Sequence, residues 1–100
     1  MVKLVLAWDI QKGKAEEYVE FALGELLPSL GQLGLNLSDA WYTWVGAGPQ
    51  IIVAGWMPSA ADAQRLLSSD AFLELKDRLL QYATDVTWRI TTPNPGDLPF

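Results

Sequence analysis

The sequence predicts an α+β domain with elements in the order strand, helix, strand, strand, helix, strand. This is a four-stranded antiparallel sheet with two helices on one face. Three observations carry the prediction. Segments 2–9, 37–45, 51–57 and 86–91 are rich in β-branched, aliphatic and aromatic residues, the composition of strands. Segments 14–33 and 59–83 instead repeat apolar residues at helical spacing. Gly, Pro, Ser and Asp punctuate the intervals. A chain of 100 residues holds one such domain, assigned to residues 1–91, with residues 92–100 as a Pro-rich tail.

The first strand sorts Val2, Leu4, Leu6 and Trp8 onto one face and Lys3, Val5, Ala7 and Asp9 onto the other. The first set is wholly apolar and is expected to meet the helices. From Lys14 to Leu33 one helical face carries Ala15, Tyr18, Val19, Ala22, Leu26, Leu30 and Leu33. Glu16, Glu17 and Glu20 fall in its early turns, where acidic side chains favour the helix dipole and form a solvated face. Pro28 removes the bond to the carbonyl of Gly24 and is expected to bend the helix there, and Gly31-Gln-Leu-Gly34 stops it.

Leu37–Val45 and Ile51–Met57 read as a hairpin around Gly46-Ala-Gly-Pro49. Gly46-x-Gly48 has the first spacing of a dinucleotide loop, but it joins strand to strand and runs into Pro49, so the turn is the better reading. Ser59 caps a short helix to about Leu67, and Ser69-Asp70 starts a second piece. That piece presents Phe72, Leu75, Leu79, Tyr82 and Ala83 on one face, with Glu74 and Arg78 paired outside. Val86, Trp88 and Ile90 then alternate with Thr87, Arg89 and Thr91 as the last strand. Residues 92–100 include three prolines and end in Leu98-Pro-Phe100. They are either an extended arm lying across a partner or a disordered end.

Composition prunes function. The chain has no Cys and no His, which removes disulfides, thiol nucleophiles, the commonest metal ligands and the usual neutral-pH base. No metal site or cofactor is expected. A net charge of −5 opposes binding to a phosphate backbone, so no nucleic acid partner is expected. No apolar run reaches the ~20 residues of a membrane helix, and the short run from Met1 to Asp9 is not signal-like. A cytoplasmic protein without a membrane partner is expected. Half of the residues are apolar and 19% are charged, against ~25% charged in typical domains. In the hairpin strands, large apolar residues occupy both alternating sets, Leu37, Trp41, Val45, Ile51, Val53 and Met57 against Tyr42, Trp44, Ile52 and Trp56. Whichever set meets the helices, an apolar face larger than monomers usually leave in water remains. A homodimer through that face is expected, with Lys3, Asp9, Thr87 and Arg89 as its polar elements.

The element order is the split βαβ arrangement of ferredoxin-like sandwiches. Together with the two-sided sheet and the stretch Leu67-Ser-Ser-Asp-Ala-Phe-Leu-Glu-Leu-Lys-Asp-Arg-Leu79, it resembles the dimeric α/β-barrel superfamily. That superfamily includes the antibiotic-biosynthesis and heme-degrading monooxygenases. The resemblance implies a pocket between the sheet and the helices of each subunit. It also places Lys76 where the heme-degrading members carry their iron-ligating His, and Leu66 where they carry a heme-distorting Trp, and the first strand lacks their Asn. A Lys must lose a proton before it can bind a metal, so heme chemistry is not expected.

The residues brought forward as ligand-binding candidates are therefore Trp8, Tyr18, Trp56, Lys76, Tyr82 and Trp88, flat apolar walls with a few polar handles suited to a small apolar or aromatic ligand. Each also reads as a core residue by its spacing, and for most of them that is the stronger reading. Two functions follow. The first is a non-catalytic module that binds such a ligand or serves as an assembly unit. The second is a cofactor-independent monooxygenase-like enzyme acting on a phenolic or polyketide-like substrate, with Lys76 the weak candidate for a base.

Overall fold

The structure, a computed structural model, describes residues 1–42 and 51–91. The turn expected at residues 46–49, the end of the second strand at 43–45 and the tail at 92–100 lie outside the described residues. The elements are β1 (Val2–Ile10), α1 (Ala15–Phe21), a π-helical segment (Ala22–Leu26), α2 (Leu27–Gln32), β2 (Asn36–Tyr42), β3 (Ile51–Met57), α3 (Ala60–Ser68), α4 (Asp70–Leu79) and β4 (Ala83–Thr91). The strands form one antiparallel sheet in the order β2-β3-β1-β4, and the fold is ferredoxin-like α+β.

Alternation in β1 sets the two layers. Val2, Leu4, Leu6 and Trp8 are buried and join one core with Tyr18, Phe21, Leu26, Leu30, Phe72, Leu75 and Leu79 from the helices. Leu4, Trp8, Leu30 and Leu35 are the largest fully buried side chains, each contributing roughly 1.5–3 kcal/mol through loss of apolar surface from water. The central strand β3 places Ile51, Val53 and Met57 in the same core, leaving Ile52 and Trp56 half-buried on the other face.

The first helix accommodates Pro28 by a different device from the kink expected. The widening falls just before Pro28, where the Leu27 N–H reaches back five residues to the Ala22 carbonyl. A wider turn spares the carbonyl of Gly24 from the proline ring, which in a regular helix would clash with it. Gly34, with φ of 104°, supplies the left-handed residue that ends the stretch, and the Leu35 N–H bonds to the Leu30 carbonyl at 3.1 Å.

Ser69 separates α3 from α4. Its hydroxyl donates to the Leu66 carbonyl at 2.7 Å and accepts the Phe72 N–H at 3.2 Å, closing one helix and opening the next. Ser59 caps α3 by accepting the Asp62 N–H at 3.1 Å. Two expectations for this region are corrected. Ala83 belongs to β4, paired with Ile10, and Tyr82 lies in the turn before it. α4 stops at Leu79, and the Gln11 side chain bridges the Leu80 and Ala83 carbonyls at 2.9 and 3.3 Å, holding the chain in a turn. Arg78 reaches not to Glu74 but across to Glu25 at 2.9 Å, tying α4 to the π segment.

Both outer strands carry an irregularity. In β2 the register passes from Leu37↔Gly55 to Asp39↔Ala54, so Ser38 is an extra residue. In β4 it passes from Asp9↔Thr84 to Ala7↔Thr87, two residues against one, with Asp85 at φ 55°. Gly55 is required where β2 joins β3, since a Cβ there would lie 2.7 Å from the Asn36 carbonyl oxygen and 2.8 Å from Leu35.

Candidate functional site

Alternation in β1 drives Trp8 into the space between sheet and helices, and helical spacing brings Tyr18 down onto it. The Trp8 Nε1–H donates to the Tyr18 hydroxyl at 3.1 Å, with the rings edge-on at 6.4 Å and 62°. A buried indole N–H needs such an acceptor. Burial pushes the Tyr18 phenol up to about 12, an effect that the hydrogen bond from Trp8 partly offsets. Tyr18 is thus held as a neutral phenol in the core rather than poised to lose a proton.

One turn separates Phe72 from Lys76 on α4, and the two bracket Trp88 of β4. Phe72 meets Trp88 edge-on at 6.3 Å and 89°, and the Lys76 Nζ stands 4.5 Å from the Trp88 ring centre, within cation–π range. Leu26, placed by the π segment, closes the inner wall with Leu6, Trp8, Leu75, Leu79 and Val86, and Lys76 lies at the rim. The cavity they leave is about 10 Å³. That is room for no more than one water molecule, whereas small-molecule pockets run to ~300 Å³ and above.

Of the six candidates, then, Trp8 and Lys76 share this small cavity, Tyr18 joins through its bond to Trp8, and Trp88 joins through Lys76. Tyr82 lies apart, packed against Phe21 at 5.3 Å. Trp56 does not face the helices at all. It pairs with Lys3 across β1 and β3, and the Lys3 Nζ lies 5.5 Å from its ring centre. The sequence marked Phe72 only as core, and it missed the Trp8–Tyr18 bond. A Trp at a buried strand position was the available signal, because its N–H had to find a partner. Among the described residues no group of three or more Asp and Glu is placed to hold a metal ion, and no helix is long and apolar enough to cross a membrane.

The opposite face of the sheet is different in kind. Val5, Ala7, Ile52, Thr87 and Arg89 line a shallow hollow of about 380 Å³ open to solvent. Lys3, Trp56 and Thr91 occupy the row at one end of β1, and Asp9 with Thr84 the row at the other.

The sequence matches no protein-family model and no curated protein. Solved structures share its fold. A NIPSNAP family protein from Agrobacterium tumefaciens superposes with a TM-score of 0.73 at 20% identity, over 94% of this chain and 93% of that one. HapK from Hahella chejuensis gives 0.76 at 10% identity, over 95% and 94%. An antibiotic biosynthesis monooxygenase gives 0.68 at 15% identity, over 95% and 100%. These likenesses establish the architecture that the sequence resembles, a small ferredoxin-like α+β chain.

Proposed function

We propose that this protein is a non-catalytic module that assembles as a homodimer through the bare face of its sheet. One observation carries the non-catalytic part. Where the resembled superfamily places its pocket, this chain leaves a cavity of only about 10 Å³, filled by Leu6, Trp8, Leu26, Phe72 and their neighbours. Neither a phenolic substrate nor a flavin or heme fits without parting those side chains. Lys76 at the rim is the one feature that favours the alternative, a cofactor-independent monooxygenase-like enzyme, and it already stands over Trp88.

The test is a thermal-shift screen with flavin, heme, quinols and polyphenols. None is expected to stabilise the protein. A saturable rise in melting temperature with a phenol, abolished in Lys76→Met, would move the assignment to the enzyme.

A further inference from the structure

Three chain reversals meet at one corner of the helical layer. Gly34, in the left-handed region, ends the first helical stretch. Pro58 follows the last residue of β3, with Ser59 capping α3 behind it, and Ser69 separates α3 from α4. Between these reversals the chain leaves a cleft of about 400 Å³, within the ~300 to 1,000 Å³ of small-molecule pockets. Leu33, Met57, Pro58 and Leu66 are its apolar walls, and Asp62, Arg65 and Ser69 its polar side chains. Met57 and Leu66 belong to the core behind the sheet, so the cleft opens on the helical side, clear of the sheet face.

The polar side chains differ in what they have left to offer. The Ser69 hydroxyl already donates to the Leu66 carbonyl and accepts the Phe72 N–H. Asp62 is held at both oxygens, one accepting from the Ser59 hydroxyl at 3.1 Å and the other from the Arg65 Nη2 at 2.7 Å. Arg65 has donors to spare. A guanidinium carries five N–H groups, and among the described residues Asp62 is its one partner. The corner therefore presents surplus donors beside an apolar wall. A carboxylate matches that fork in shape and charge, whereas an ammonium would meet the guanidinium before it reached Asp62.

We propose that this cleft binds a small carboxylic acid with an apolar body, an aryl or medium-chain alkyl carboxylate. Its carboxylate lies on Arg65 and its body against Leu33, Met57 and Leu66. About ten to fifteen non-hydrogen atoms fill such a volume at the packing density of an interior. Asp62 positions the fork: tied to Ser59 at the start of α3, it holds the guanidinium at the cleft, and Arg65 then bridges two carboxylates, one from the protein and one from the ligand. Because the site is on the helical side, it is as open in a dimer built through the sheet face as in a single chain, and it does not depend on that dimer.

The test is an amide NMR titration of the wild type, Arg65→Met and Arg65→Lys with naphthoate and octanoate, and with naphthamide as the uncharged counterpart. The Arg65 side chain is largely exposed, so both variants are expected to fold, as circular dichroism checks. Saturable shifts are expected at Gly34, Leu66 and Ser69. Arg65→Met is expected to weaken carboxylate binding by about tenfold or more, the loss of hydrogen bonds to a charged group. Arg65→Lys, which keeps the charge and loses the fork, is expected to fall between the two, and naphthamide to bind the wild type more weakly than naphthoate. No saturable shift with either carboxylate at millimolar concentration overturns the site. So does binding that Arg65→Met leaves unchanged, or that naphthamide matches. Shifts centred on Lys76 and Trp88 overturn it as well, and point instead to the small cavity beside Trp8.

Discussion

The Trp8–Tyr18 hydrogen bond shows how a residue can look like a handle for a ligand and serve the core instead. The phenol accepts the indole N–H at 3.1 Å, and burial lifts its ionisation to about 12 from the usual value near 10. Between those two values the unfolded chain gives up the Tyr18 proton while the folded chain keeps it. The contribution is therefore whole below pH 10 and is lost as the pH rises toward 12. In Tyr18→Phe that loss disappears. Denaturant unfolding from pH 9 to 12 is expected to show the wild type losing stability more steeply than the variant. At pH 7 the variant is the weaker of the two by about 1–3 kcal/mol, because the buried Trp8 N–H is left unpaired. Parallel curves would place the Tyr18 hydroxyl in water.

At the scale of elements, Ser69 does the work of two caps. It accepts the Phe72 N–H and donates to the Leu66 carbonyl, fixing the turn from which Phe72, Leu75 and Lys76 project. Ser69→Ala is expected to cost about 1–2 kcal/mol, measured as a fall in the urea midpoint at unchanged slope, while Ser69→Asp, which keeps an acceptor, recovers part of it. This junction was legible in the sequence, as was the face of β1, where Val2, Leu4, Leu6 and Trp8 form a wholly apolar set. In the first helix Tyr18, Ala22, Leu26 and Leu30 are buried as expected, whereas Ala15 and Val19 are exposed and Phe21 is buried in their stead. That is why Trp8, Tyr18 and Lys76, which lie close together in the fold, could be grouped from the sequence. β3 was not legible in the same way. Its apolar residues occupy both alternations, so period two assigns no face, and Trp56 was placed with the helices when it lies opposite them. The extra residue at Ser38 was hidden for a related reason. Leu37 and Trp41 belong to one alternating set, yet the register pairs Leu37 with Gly55 and Trp41 with Ile52. The end of α4 was overrun because Tyr82 and Ala83 continue its apolar spacing, and it is the Gln11 amide, distant in sequence, that stops the chain there.

For the whole molecule, among the described residues the layer behind the sheet is closed and none covers its front, and the proposed function follows from that asymmetry. Ile52 stands in the middle of the open face, half-buried, so a charge there disturbs little within the chain and much between copies. Ile52→Asp is expected to be folded by circular dichroism and monomeric by light scattering at concentrations where the wild type is dimeric. A dimer of unchanged affinity would move the contact surface elsewhere. A sheet that is apolar on both sides also carries a hazard, because its outer strands offer unpaired backbone groups to any other chain and invite stacking into fibres. Here β2 and β4 are each interrupted, by the extra residue at Ser38 and by the doubled step around Asp85. A long, straight edge that could template another strand is thereby denied to both sides of the sheet. Sideways growth is frustrated while the sheet face stays available, which favours the proposed association, one that closes after two copies, over one that continues without limit.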